Sequence, residues 1–458
     1  MDIRVLRIIF GLCAAILLCI SPYINPIITG VLGIIFAGVM YFAAKVRYFA
    51  IALAVLGLLY AISFVPLLAF IGPLVMILAG EGVRVLFKKA GHDILFFGIG
   101  STAALIITML YIGETDPLIG ALGEIVLLML RSILTNRNDG SMISYLGVAM
   151  TITLFMDLEF LVDFRLLALS ILLCAAFGYF AYRAKTIDMS GLFSLILFGV
   201  ILIAFTGGFF WFFIVIAFFI IGSVFTKFKY AKKKEMGVAQ KKSGKRGYKN
   251  AFANVGIAII SCILFGITNE IIFAVVFLGS VATATADTLA SEIGVVAGGK
   301  PRMITTMKPC KAGENGGVTL AGELACVAGA IFISSLGFAF GIVPLWGAAA
   351  ACIAGILGTN IDSLIGALFE NRGFFNRNQH ETIYVVSPEY NSNNQIIFRD
   401  NNVDAIRGKH VVLLLATTTT GLTIRRAVEC INYYGGVLQG VSSIFSTVNS
   451  VDGIKINS

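Results

Sequence analysis

TATADTLASEIGVVAGGKPRMITTMKPCKAGENGGVT, residues 283–319, decides how this chain is read. An apolar segment from Ile271 runs without a break into Asp287, Ser291 and Glu292, and a loop follows with Lys300, Arg302, Lys308 and Lys311 before Gly313-Glu314-Asn315-Gly316-Gly317. Acids at the end of an apolar helix are costly to bury, so they have a partner or a task. Carboxylates, lysines and a glycine turn in one stretch are the parts that hold a metal and a phosphate.

The rest of the chain supplies the helix that the stretch ends. Of 458 residues, 58% are hydrophobic and 13% charged, against roughly 25% charged in a soluble domain. The apolar residues lie in runs of the length that crosses a bilayer, about 20 residues each. Fourteen such segments are expected, at about 8–20, 27–44, 48–62, 65–80, 93–112, 118–134, 142–162, 166–182, 190–206, 208–226, 251–267, 271–287, 319–341 and 345–368. The fold class is therefore an all-α polytopic membrane protein of about 14 transmembrane helices, with a small α/β segment at the C-terminal end. The first run reads as a signal anchor, since Ile20-Ser21-Pro22 is a poor cleavage site.

The formal charge of +9 points in a soluble protein to nucleic acid. Here the basic residues gather in short loops, which the positive-inside rule explains with no nucleic-acid partner. Lys45, Arg47, Arg84, Lys88, Lys89, Arg137, Arg183 and Lys185 fall on one side, Glu114, Asp116, Asp157, Glu159, Asp163 and Glu270 on the other. That asymmetry predicts a cell-membrane protein with both termini in the cytoplasm. The loop from Lys227 to Lys249 carries ten Lys or Arg against one Glu. It reads either as a lipid-headgroup and topology signal, or, through Lys245 and Arg246, as a lure for an anionic substrate. Eight cysteines without a CxxC pair and three scattered histidines exclude a zinc site and a disulfide framework.

Topology gives the main expectation. Two crossings after Lys249 return the chain at Asp287, and two more return it at Asp362. Asn254, the 287–318 stretch and Gly358–Ser363 are then predicted to share one face. Asp287 with Ser291 and Thr288 with Glu292 are i, i+4 pairs. Asp287, Glu292 and Asp362 are candidate Mg²⁺ ligands, because hard cations take oxygen. Lys308 is a candidate phosphate partner, and the N–H groups of Gly316 and Gly317 a candidate anion cradle. The plainer readings stand beside these: a helix-end acid paired with loop lysines, an exposed loop, and Asp362, Asn250 and Asn254 as helix caps.

Beyond Asn371 the composition turns polar. Residues 410–416 read as a buried strand, 423–434 as a helix ended by Gly435-Gly436, and 437–446 as a second strand, which together make one βαβ unit. The competing expectation is a short, Thr-rich membrane segment at 410–424.

Several pieces in order resemble the DUF92 integral membrane proteins, also called the TMEM-nineteen-like family, which includes plant phytyl-phosphate kinase. They are KTIDMSGLFS at 185–194, GGFFWFF at 207–213, KKKEMGVAQKKSGKRGYKNAFANVG at 232–256, TADTLASEIG at 285–294, KPCKAGENGGVTLAGELA at 308–325 and IDSLIGALFENRG at 361–373. A looser resemblance reaches the polyprenol kinase and CDP-diglyceride synthase group, whose members bind CTP and Mg²⁺ through acids and a Gly-rich loop. The resemblance implies a CTP-dependent kinase of an isoprenoid alcohol monophosphate or alcohol, with Mg²⁺ as cofactor and CTP as phosphoryl donor. Carried over by position, Asp287, Glu292 and Lys308 are its catalytic residues. Ser291, Asn315, Gly316 and Gly317, joined by Lys245, Arg246 and Asn254, bind the nucleotide and its phosphates; Asp287, Glu292 and Asp362 bind the metal. A cytidylyltransferase that makes a CDP-lipid, and a transporter or lipid-handling protein without catalysis, are the alternatives.

Three regions follow: 1–182, helices with no readable motif that could shape a prenyl groove; 183–372, the catalytic core; and 373–458, a soluble fragment. That fragment resembles part of a type I phosphoribosyltransferase of the orotate kind. HVVLLLATTTTGLT at 410–423 stands where that family binds PRPP, but Leu415 and Ala416 occupy the places of its acidic pair. The DUF92-type pattern continues after D-S-x-x-G with a VN motif, for which Asn402-Val403-Asp404 is the only echo.

Overall fold

The computed structural model describes residues 14–43, 47–135, 137–236, 238, 245–297 and 299–370, and, toward the C-terminus, 389–390, 396–397, 406–418, 422–446, 450–451 and 454–457. The chain divides into two compact units, Met1–Phe375 and Asn376–Ser458.

In the first unit the apolar runs become helices: α1 (Pro26–Ala43), α2 (Arg47–Ala61), α3 (Leu67–Leu86), α4 (Asp93–Ile112), α5 (Pro117–Leu134), α6 (Gly140–Asp157), α7 (Phe164–Arg183), α8 (Met189–Thr206), α9 (Phe210–Lys227), the short α10 (Tyr230–Glu235), α11 (Tyr248–Thr268), α12 (Ile271–Gly294), α13 (Leu320–Ala339) and α14 (Leu345–Ile365). Among the described residues eleven helices are long and apolar enough to cross a membrane, and three shorter apolar helices precede them. The protein is an integral membrane protein of all-α type.

Acids on the loops opposite the basic ones have a local task. Asp116 caps α5 by accepting from the Leu118 N–H at 2.8 Å, and Asp163 caps α7 by accepting from Arg165 and Leu166. Each satisfies donors that the first turn of a helix leaves open. The first seven helices are not a separate body. α5 packs on α8, and one apolar core runs from Ala14 through Tyr145 and Leu202 to Ala351.

α12 is the central strut of the second half, packed against α11, α13, α14 and α9. Small residues let it approach α14 closely. A Cβ on Gly355 would come 3.1 Å from the Ala282 Cβ, and one on Gly358 would come 2.9 Å from the Thr283 hydroxyl. Close backbone approach through Gly and Ala is the common route to tight helix pairing in a bilayer.

The loop between α12 and α13 is an ordered hairpin. Strand β1 (Arg302–Met303) pairs antiparallel with β2 (Gly317–Val318). In the second unit, β3 (Glu389–Tyr390) pairs with β4 (Ile396–Ile397). β5 (His410–Thr418), α15 (Leu422–Tyr433) and β6 (Val437–Ser446) form a βαβ crossover with His410 opposite Val437 in parallel register. β7 (Ser450–Val451) and β8 (Ile454–Asn457) complete a sheet of order β5-β6-β8-β7. Residues 410–418 are thus strand and 422–433 helix, which overturns a membrane span there. The physical reason is α15, whose apolar residues form one stripe, Ile424, Ala427, Cys430 and Ile431, buried on one side only.

Candidate functional site

Asp287 lies in the last two turns of α12 and Asp362 in the last turn of α14. Because the two helices run in the same direction, both acids reach the same end of the bundle. They line one cavity of about 650 Å³, and Asn254 from the second turn of α11 completes its polar end. The remaining walls are small or apolar: Gly279, Ser280, Ala284, Ala350, Ala354 and Val275 among them. The twelve residue steps from Val275 to Asp287 span about 18 Å at the helical rise of 1.5 Å per residue. The cavity is most polar at the end that holds the acids and mainly apolar along its length, with the Ser280 and Thr283 hydroxyls as exceptions.

The Asn315–Gly316 turn abuts this end. Gly316 holds a left-handed φ of 78°, and a Cβ there would come 2.8 Å from the Ser363 carbonyl. Only glycine fits, because both backbone sign and space forbid a side chain. From the other side, a Cβ on Gly366 would lie 3.5 Å from the Gly316 nitrogen and 3.6 Å from the Asn315 Cβ. The loop is therefore seated directly on the turn that follows Asp362.

Other residues read from the sequence fall elsewhere. Glu292 is buried and makes a 2.5 Å ion pair with Lys233, also buried. The Lys233 ammonium donates as well to the Phe225 carbonyl at 2.8 Å and the Thr226 carbonyl at 3.4 Å, which satisfies the C-terminal end of α9. Glu292 is not among the residues that line the Asp287–Asp362 cavity. Nor do three acids, histidines or cysteines gather as one metal group among the described residues. Ser291 is exposed, and its hydroxyl donates to the Thr288 carbonyl. Lys308 and Lys245 are exposed. The N–H of Gly317 donates to the Glu314 carbonyl at 2.9 Å, so the hairpin itself uses the donor that the sequence reading offers to a phosphate. Asn254 is half-buried, and its amide donates to the Asn250 carbonyl at 2.9 Å, which leaves its carbonyl oxygen to act as an acceptor.

Arg246 sits beside the bundle end. Burial pushes its guanidinium below the usual range, and the Glu292 carboxylate opposes that fall. Sequence reasoning passed over Glu323 and Asn360. The Asn360 amide donates to Glu323 at 3.3 Å, and Cys326 lies within electrostatic reach of both Glu323 and Asp287. The available signal was an acid one turn inside an apolar helix.

The family model for the integral membrane protein DUF92 matches residues 172–413. The chain belongs to the DUF92 integral membrane protein family. The match opens within α7 and continues past α14 as far as Leu413 in β5. Protein PGR of Arabidopsis thaliana is 33% identical over 240 residues, covering 46% of this chain and 81% of its own length. The uncharacterized membrane protein MJ0933 of Methanocaldococcus jannaschii is 34% identical over 222 residues, 47% of this chain and 87% of the relative. Protein VTE6, chloroplastic, of Arabidopsis thaliana is 29% identical over 181 residues, 38% of this chain and 54% of the relative. No solved structure matches the chain.

Proposed function

We propose that this DUF92-family chain is a membrane-embedded kinase that transfers a phosphoryl group from a nucleoside triphosphate to an isoprenoid alcohol monophosphate. The observation that carries the proposal is the shape and polarity of the cavity: two carboxylates and an amide at one end, and a mostly apolar wall, broken by the Ser280 and Thr283 hydroxyls, over the roughly 18 Å from Asp287 to Val275. An amphiphile with a phosphate head and one long apolar tail matches that distribution. The resemblance to a family that includes a plant phytyl-phosphate kinase supports the same reading.

The donor set fits Mg²⁺. Magnesium is commonly held by one or two carboxylates together with substrate phosphates and water, and Asp287 and Asp362 face one cavity with the Asn254 amide nearby. When bound, the ion neutralises charge on the phosphoryl oxygens. The chain's own groups position the reactants. Asp287 and Asp362 fix the polar end, and the Asn315–Gly316 turn closes over the end of α14. The exposed cations Arg302, Lys308 and Lys311 on the hairpin attract the triphosphate. An oxygen of the acceptor phosphate attacks the terminal phosphorus of the donor, the bridging P–O bond breaks, and the nucleoside diphosphate leaves. Such a transfer needs alignment and charge stabilisation more than covalent help.

CTP is the donor we expect, with Mg²⁺. Purified full-length protein in lipid nanodiscs, given Mg²⁺, labelled CTP and geranylgeranyl or farnesyl monophosphate, yields the lipid diphosphate and CDP. Release of pyrophosphate in place of CDP assigns a cytidylyltransferase. Folded protein that makes no product with CTP, ATP, GTP or UTP across a panel of prenyl monophosphates and alcohols overturns the kinase reading.

A further inference from the structure

The basic segment from Lys227 to Lys249 contains one cation whose position is built by the bundle. The Arg246 N–H donates to the Thr186 carbonyl at 2.9 Å, and its carbonyl accepts from the Asp188 N–H at 3.1 Å. The main chain is thus pinned on both sides of the residue. Its guanidinium lies over the Phe218 ring, 5.5 Å from the centroid. It rests on bare backbone at Gly222, where an added Cβ would sit 2.8 Å from Nη1. Among the described residues no carboxylate lies within ion-pair distance of it. Two acids of the neighbourhood make close contacts elsewhere. Glu292 pairs with Lys233 and reaches Arg246 as a longer-range Coulomb attraction, and Asp188 accepts from the Gly191 N–H and the Ser190 hydroxyl.

The guanidinium lines a narrow apolar pocket between α8, α9 and α11, with Leu195, Phe198, Phe212 and Val215 in its walls. Asn254 belongs to this pocket and also to the Asp287–Asp362 cavity. A cation fixed by its backbone, cushioned on glycine and surrounded by hydrocarbon calls for an anion of matching shape. A guanidinium fork meets two oxygens of one phosphate at once. The soluble triphosphate has the exposed lysines of the hairpin; the hydrocarbon around Arg246 suits the head of a membrane lipid.

We propose that Arg246 anchors the phosphate of the lipid monophosphate acceptor, holding it where the apolar pocket and the Asp287–Asp362 cavity meet. The kinase reading supplies the identity of the anion, while the site stands on geometry. Arg246 neutralises acceptor charge on one side of Asn254, and the carboxylates organise the donor on the other.

The test is a binding measurement on full-length protein in nanodiscs, with geranylgeranyl monophosphate, geranylgeraniol and Mg·CTP as separate probes. Arg246→Gln weakens the monophosphate roughly tenfold to a hundredfold, the range for hydrogen bonds to a charged group, and leaves the alcohol and Mg·CTP unchanged. Gly222→Ala keeps the arginine but displaces it, and weakens the monophosphate by a smaller factor with the same selectivity. Equal weakening of monophosphate and alcohol, a loss confined to Mg·CTP, or wild-type protein that binds neither lipid overturns the anchor. The two readings separate cleanly. Arg246-dependent monophosphate binding without turnover keeps the anchor and removes the kinase; turnover with unchanged monophosphate binding in Arg246→Gln does the reverse.

Discussion

Glu292 is the residue for which sequence and structure assign different work, and its replacement discriminates between them. The Lys233 and Glu292 side chains are 3% and 7% exposed, with Nζ and Oε2 2.5 Å apart. At an effective dielectric near 20 the gross attraction is about 7 kcal/mol, most of it offset by the dehydration of both charges. Removing one partner leaves the other buried and unpaired, which costs about 3–5 kcal/mol. Glu292→Gln and Lys233→Met each lower stability by that amount, measured as the free energy of unfolding in mixed detergent–SDS micelles. The double variant Lys233→Met/Glu292→Gln regains part of the loss, because the unpaired Lys233 charge goes with its partner, while Arg246 still loses the Coulomb support of Glu292. The same double variant keeps its Mg²⁺-dependent binding of CTP, since the Asp287–Asp362 cavity is intact. Two results refute the reasoning: a Glu292→Gln protein as stable as wild type, or a stable double variant that has lost Mg²⁺ dependence. The second would return Glu292 to the metal.

Asp287→Asn and Asp362→Asn each lower phosphoryl transfer by at least about a hundredfold with the melting temperature nearly unchanged, as loss of a charge-stabilising group does; activity within a few fold of wild type refutes the assigned site. Gly316→Ala strains a φ of 78° against the Ser363 carbonyl and destabilises the hairpin by about 1–3 kcal/mol, read by hydrogen exchange at residues 302–318. Burial pushes the Asp116 carboxyl up, with its bond from the Leu118 N–H opposing. A carboxylate raised on folding penalises the folded state above its folded pKa, and the penalty fades as pH falls through that value, so stability rises on acidification toward about pH 4. Asp116→Asn keeps the cap and flattens this part of the pH profile of the melting temperature. Glu124→Gln preserves the acceptor for the Ser101 hydroxyl, now at 2.6 Å, and changes the melting temperature little, whereas Glu124→Ala lowers it.

The fold was legible because a bilayer leaves the backbone no alternative to helix, so length and hydropathy placed the helices from Pro26 to Ile365, although the segments expected at 65–80 and 271–287 stop short of the helix ends at Leu86 and Gly294. The convergence of Asn254, Asp287 and Asp362 was legible for the same reason: counting crossings fixes which ends are neighbours. Pairing was not. Ten basic residues crowd 227–249, and nothing in their order says that Lys233 folds back to Glu292, because that depends on where α10 turns. The fate of a glycine N–H was hidden likewise. Gly317 looks available in a string of letters, but the tight turn that leads into β2 brings its N–H to the Glu314 carbonyl. Asp116 and Asp163 contributed to a charge-asymmetry argument while serving as caps, a reminder that one side chain can answer to local and global rules together. The C-terminal βαβ unit was readable from alternating strand and amphipathic helix patterns.

Gly355 and Gly358 bring α14 against Ala282 and Thr283, one to two turns from the paired acids. With only the short Ala282 and Thr283 side chains between the helices, the separation of Asp287 from Asp362 is ruled largely by main chain. A thicker or thinner bilayer would tilt α12 and α14 as a single beam instead of prying the carboxylates apart, so their spacing stays constant while the surrounding lipid changes.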